Sequence, residues 1–125
     1  MSETRAQECA AAIVAAFARY NTAYRAITRR APERFENRDW GGSQSDVVER
    51  LELYSSMVNE TVSGLQQRLG ADALDTGLWI AIKSAYSERI AALADPEFLK
   101  TFFSSITRRL FDTVGVDPEI EYFAL

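Results

Sequence analysis

The sequence predicts an all-α fold: an antiparallel bundle of about four to five helices with a short extended C-terminal tail. Apolar residues recur at steps of three and four over long stretches, which is helical spacing. Proline and glycine punctuate these stretches at positions that start and stop helices. No strand-type alternation occurs before Glu119.

The first helix is expected from about Glu3 to about Arg30, with Ala6, Ala10, Ile13, Phe17, Tyr20, Tyr24 and Ile27 forming a seam that Cys9 and Val14 widen. Arg19, Arg25, Arg29 and Arg30 would place positive charge toward its C-terminal end, where it complements the helix dipole. Pro32 suits the first turn of a short second helix reaching about Arg38. Asp39–Ser43 reads as a turn, with Ser43 and Asp46 arranged much like a capping box. The third helix then spans about Gln44 to about Leu69, with an inward face of Val47, Leu51, Tyr54, Met57, Val58, Val62, Leu65 and Leu69, and Gly70 stops it.

A loop at 71–75 leads to a fourth helix from about Thr76 to about Leu93, facing inward through Leu78, Trp79, Ile82, Tyr86, Ile90 and Leu93. Asp95 would cap the fifth helix, with Pro96 in its first turn and Glu97 near the positive end of the dipole. Its apolar face is Phe98, Leu99, Phe102, Phe103, Ile106, Leu110 and Phe111, and Gly115 ends it. Residues 119–125 alternate weakly. A strand there would need a partner from further chain, so the chain is expected to be the front of something larger.

The 125 residues correspond to one domain, 1–125, with 47% apolar and 26% charged residues, a globular balance. The net charge of -4 argues against nucleic acid as a partner. Twelve arginines and two lysines carry the positive charge, an imbalance that genome base bias explains for most of them. Cys9 is alone, so no internal disulfide forms, which suits a reducing cytoplasm. No signal peptide is visible, and the Ala-rich run from Cys9 to Phe17 is too short to cross a bilayer.

Histidine is absent, which removes imidazole bases and imidazole metal ligands. Gly41-Gly42-Ser43 lacks the lysine and spacing of a phosphate loop, and no kinase catalytic-loop or Asp-Phe-Gly motif occurs. Lys83 and Lys100 have no convincing serine partner. Glu33, Glu36 and Asp39 alternate with Arg34 and Arg38 as a solvated ion-pair face. The Arg108-Arg109 pair reads as an anion or carboxylate clamp, or as dipole complementation plus a pair with Asp112 at i+3 or i+4, and the sequence favours the latter. Phe98, Phe102, Phe103 and Phe111 read as core, and Trp40 and Trp79 as helix-packing anchors. No catalytic, cofactor-binding or metal-binding residue is assigned.

Arg34-Phe35-Glu36 with Asp39-Trp40, Arg50 with Leu53-Tyr54 and Val58, then Trp79, Lys83 and Tyr86, follow one another in an order and spacing with a known counterpart. The run Thr101-Phe102-Phe103-Ser104-Ser105-Ile106-Thr107-Arg108-Arg109-Leu110-Phe111-Asp112-Thr113-Val114-Gly115-Val116-Asp117-Pro118 is closest of all. In these residues the chain resembles the N-terminal region of the bacterial isocitrate dehydrogenase kinase/phosphatase family. It departs at Ser104, where that family typically has Asn, and at Lys100, where an acidic residue is common.

The resemblance implies the N-terminal portion of a larger helical regulatory domain, fused to a kinase-like domain in a cytoplasmic bifunctional enzyme. Such enzymes phosphorylate a serine of isocitrate dehydrogenase with ATP and Mg²⁺, remove the phosphate in the same active site, and so control the glyoxylate bypass. AMP binds between the two domains. The family's nucleotide and catalytic residues would lie beyond Leu125, so this chain alone is expected to be inactive. The alternative is a free-standing helical interaction module with no catalytic role, motivated by more apolar face than three or four helices can cover.

Overall fold

In the computed structural model, which describes residues 2–93 and 96–114, five α-helices follow one another: α1 Ser2–Thr28, α2 Ala31–Glu36, α3 Trp40–Leu69, α4 Thr76–Ile90 and α5 Pro96–Val114. No strand occurs among the described residues. The expected Asp95 cap, Gly115 stop and extended tail lie outside them.

α1 and α3 form an antiparallel pair. Arg5 near the start of α1 meets Asp72 and the carbonyls of Arg68 and Leu69 just past the end of α3. At the other end, Arg30 just after α1 reaches Asp46 and Glu49 in α3. The expected seam of α1 faces inward, with Ala6, Ala10, Ile13, Tyr20 and Ile27 buried. The helix stops at Thr28, so Arg25 alone serves its last turn and Arg30 instead precedes α2.

α2 ends earlier than Arg38 because Arg38 takes a left-handed φ of 53°, while its N–H still bonds Phe35 O. That reversal brings Asp39 to the start of α3, where its side chain accepts from Gly42 N at 2.9 Å. The expected turn at Asp39–Ser43 is therefore the first turn of α3, and the cap is Asp39 rather than Ser43. A carboxylate two residues before Gly41 and three before Gly42 reaches the free N–H groups of the new helix directly.

The two glycines of that turn are not equivalent. A Cβ on Gly42 would run into the Asp39 carboxylate and lie 2.8 Å from an Arg34 guanidinium nitrogen, whereas one on Gly41 meets nothing within 4 Å. Gly41→Ala should thus raise stability by about 0.5–1 kcal/mol through helix propensity. Gly42→Ala should lower it by about 1 kcal/mol by displacing the cap. Urea unfolding of the two variants checks the opposite signs.

Gly70, at φ 55°, closes α3 as expected. The expected loop tightens into a 3-10 turn, Gly70–Leu74, and Asp75 caps α4 by accepting from Leu78 N at 3.0 Å. α4 ends at Ile90, so Leu93 falls beyond it and is exposed, while Leu78, Trp79, Ile82, Tyr86 and Ile90 are buried. α5 packs antiparallel to α4: Trp79 faces Phe103 and Phe111, and Tyr86 donates from its hydroxyl to Leu99 O at 2.6 Å.

The core sits where α1, α4 and α5 meet the C-terminal half of α3. Its largest fully buried side chains are Trp79, Tyr86, Phe102 and Phe103. Each such ring contributes on the order of 2–3 kcal/mol by leaving water. Trp79 Nε1 has no hydrogen-bond partner among the described residues.

The N-terminal half of α3 departs from expectation. Val47 and Leu51, placed on the inward face by their spacing, are 46% and 66% exposed. Trp40, expected as a packing anchor, is 58% exposed and rests edge-on against Phe35 at 5.9 Å. The reason is length. The Phe98 end of α5 meets α3 at Tyr54, and α3 continues past that contact for fourteen residues, about 20 Å of helix.

Candidate functional site

Two features on α3 concentrate polar chemistry. The first is a charge network at the α2 end. The Asp46 carboxylate, buried despite its charge, takes Arg34 Nε at 3.2 Å and Arg30 Nη1 at 3.3 Å. Arg34 Nη1 also reaches Asp39 at 2.8 Å, and Arg30 reaches Glu49 at 2.8 Å. Of the three acidic residues expected as an ion-pair face, Asp39 thus joins this network, alongside Asp46, Glu49 and Arg30. These last three escaped the sequence reading because the pairs span twelve to nineteen residues and depend on the reversal at Arg38.

Burial pushes the Asp46 carboxyl up, but hydrogen bonds and charge from Arg34 and Arg30 outweigh it and hold its pKa below the usual value. A depressed folded pKa stabilises at pH values above the unfolded value of about 3.9 and stops doing so as pH falls through the folded pKa. Asp46→Asn should therefore lower the melting temperature at neutral pH, and the two proteins should converge well below pH 4. Thermal melts across pH 2–7 would refute this ionic role if the gap were unchanged at the acid end.

The second feature is a cleft of about 320 Å³ between α3 and α5, lined by Tyr54, Ser55, Val58, Ser105, Arg108, Arg109 and Asp112. Ser105 Oγ donates to Thr101 O at 3.1 Å, so its 2.7 Å contact with Tyr54 has the tyrosine hydroxyl as donor. Arg108 and Arg109 are exposed on α5, one turn before the last described turn, which carries no basic residue. Both line the cleft with Asp112, which follows Arg108 at i+4 and Arg109 at i+3.

Behind the cleft lies an aromatic cluster. Tyr20 stacks near Phe98 and Phe102 at 6.0 and 6.5 Å and meets Tyr54 edge-on at 5.6 Å. Burial, helped by Tyr24 and Tyr54 and opposed by Arg50, raises the Tyr20 phenol to about 12, so it stays protonated. Arg50 lies over the Tyr24 ring at 5.8 Å. Phe102, Phe103 and Phe111 are core, as their spacing suggested, and Phe98 is half-buried against Phe17 and Tyr20. Cys9 is buried, and that burial raises its thiol pKa, which suits packing rather than reaction.

Lys100 pairs with Glu97 at 3.3 Å, and Gly41-Gly42 lies within the capped turn of α3. No described helix is long and apolar enough to cross a membrane. The cleft brings Arg108, Arg109 and Asp112 of α5 beside Tyr54, Ser55 and Val58 of α3.

Comparison with known proteins agrees with the resemblance. Residues 10–125 match the model of the isocitrate dehydrogenase kinase/phosphatase (AceK) regulatory domain. The isocitrate dehydrogenase kinase/phosphatase of Anaeromyxobacter sp. (strain Fw109-5) is 50% identical over 115 residues, covering 92% of this chain and 20% of that protein. The protein of the same name from Xanthomonas campestris pv. campestris (strain 8004) is 41% identical over 124 residues, or 99% of this chain and 21% of that protein. That from Dechloromonas aromatica (strain RCB) is 33% identical over 124 residues. The chain spans about a fifth of the length of these curated relatives. With a five-helix architecture and a regulatory-domain match over all but its first nine residues, the chain belongs to the isocitrate dehydrogenase kinase/phosphatase family, in the N-terminal part of its regulatory domain.

Proposed function

We propose that this chain is the N-terminal scaffold of a cytoplasmic enzyme that phosphorylates and dephosphorylates isocitrate dehydrogenase, and that it carries none of the bond-making itself. The carrying observation is the match to a regulatory domain over residues 10–125, together with coverage of only a fifth of the relatives. The reaction and the substrate protein are those for which these relatives are named. A kinase-like domain of the same polypeptide would do the chemistry, with ATP and Mg²⁺, under the influence of AMP.

Among the described residues no three acidic, cysteine or histidine side chains converge on a metal position, so no step through Mg²⁺ is assigned to this chain. Its contribution would be mechanical. The core locks α1, α4 and α5 on α3, and the Asp46 network fixes the angle at which α2 leaves the bundle.

The test compares two polypeptides from one gene: residues 1–125 alone, and the product read through codon 125. With ATP, Mg²⁺ and isocitrate dehydrogenase, the longer product should incorporate phosphate into the substrate and the shorter one should not exceed background. Phosphate transfer by residues 1–125 alone would overturn the scaffold reading.

A further inference from the structure

We infer that the uncovered stripe on the N-terminal half of α3 is a docking seam for an amphipathic helix that lies beyond Leu125 in the same polypeptide. This rests on the proposal that the chain is the front of a longer family member. Val47 and Leu51 continue the steps of four and three followed by Tyr54, Val58, Val62, Leu65 and Leu69, and Trp40 lies on the same side one heptad before Val47, across Ser43 and Gln44. One helix face is thus continuously apolar from Val47 to Leu69, buried at Val58, Val62, Leu65 and Leu69, and open at Val47 and Leu51, with the exposed Trp40 two turns further on. A helix that keeps its seam spacing beyond the end of its neighbours is spaced for another helix. The isolated surface side chains of an ordinary monomer need no such register.

Two further features identify the occupant. The relatives are about five times longer than this chain, so chain able to supply such a helix exists in the family. The open seam also runs directly into the cleft lined by Tyr54, Ser55 and Val58, whose opposite wall carries Arg108 and Arg109. The incoming helix therefore needs apolar residues at i, i+3 or i+4, and i+7, over about three turns to match the roughly 16 Å from Trp40 to Leu51. The Asp46 network lies on a different side of α3, where Asp46 already pairs with Arg30 and Arg34, so it leaves the seam clear.

Hydroxyl-radical footprinting, read by peptide mass spectrometry, tests the seam on residues 1–125 and on the longer gene product. Trp40 and Leu51 should be modified readily in the short chain and about tenfold more slowly in the long one, as for side chains moved into a packed interface. Trp79, buried in both, is the internal control. Leu51→Asp in the long protein should restore modification at Trp40. That position is two-thirds exposed here, so residues 1–125 bearing the substitution should keep their circular dichroism. Equal modification of Trp40 in both products would overturn the seam while leaving the scaffold reading intact. Protection in the short chain that grows with its concentration would make a second copy the occupant and also overturn the inference. A gene ending at codon 125 would remove both readings together.

Discussion

Phe103→Ala should destabilise the chain by about 3–5 kcal/mol, the range for deleting a fully buried aromatic ring. Phe103 has no exposed surface, and its ring stacks on Tyr86 at 4.9 Å and on Trp79 at 5.6 Å. Its removal leaves a cavity between α4 and α5, where those two helices are held face to face. The same gap would loosen the Tyr86 hydroxyl from Leu99 O, a bond made within that layer. Since a domain of this size has roughly 5–15 kcal/mol in total, the variant should be at the edge of unfolding at room temperature. Phe35→Ala is the control: that ring is 73% exposed, and its loss should change stability by less than about 0.5 kcal/mol. Urea melts of the two variants decide the matter. A Phe103→Ala loss below about 1 kcal/mol would show that α5 packs against the bundle less closely than described.

Ala10→Leu should cost about 1–3 kcal/mol by overpacking. Ala10 is fully buried on α1, in the same buried cluster as Ala6, Cys9 and Ala85. Ala6 lines one surface with Ala81 and Ala85 of α4, so the backbones there approach across small side chains. A leucine would add three carbon atoms to a position with no exposed surface and would have to force the two helices apart. Ala15, on the same helix but exposed, should accept leucine with little change. Comparable melting temperatures for Ala10→Leu and Ala15→Leu would refute the close α1–α4 contact.

Helical character was legible in the sequence because the 3.6-residue period is a local property, and local geometry decides it. The seam of α1, the inward faces of α4 and α5, the stop at Gly70 and the start at Pro96 follow from neighbours within four residues. The start of α3 was misplaced for a related reason. Gly41-Gly42 looks like a turn until Arg38 takes its left-handed conformation and sets Asp39 over the first free N–H groups. The family also was legible, since the spaced residues from Arg34 to Pro118 carry it without reference to coordinates.

Burial was another matter. Trp40 and Trp79 are the same residue type, each near the start of a helix, yet one is 58% exposed and the other 1%. Val47 and Val62 share a stripe and differ in the same way. Periodicity states which side of a helix is apolar; whether anything lies against that side depends on where other helices end. The pairing of Asp46 with Arg30 and Arg34, and the cleft that joins Arg108 and Arg109 to Tyr54, depend likewise on segments distant in sequence. The amino-acid order alone therefore determined a bundle of about four to five helices, the apolar side of each and the kinship of the chain. The tertiary structure alone decided which faces are covered, because coverage is a relation between helices of unequal length and no local pattern encodes it.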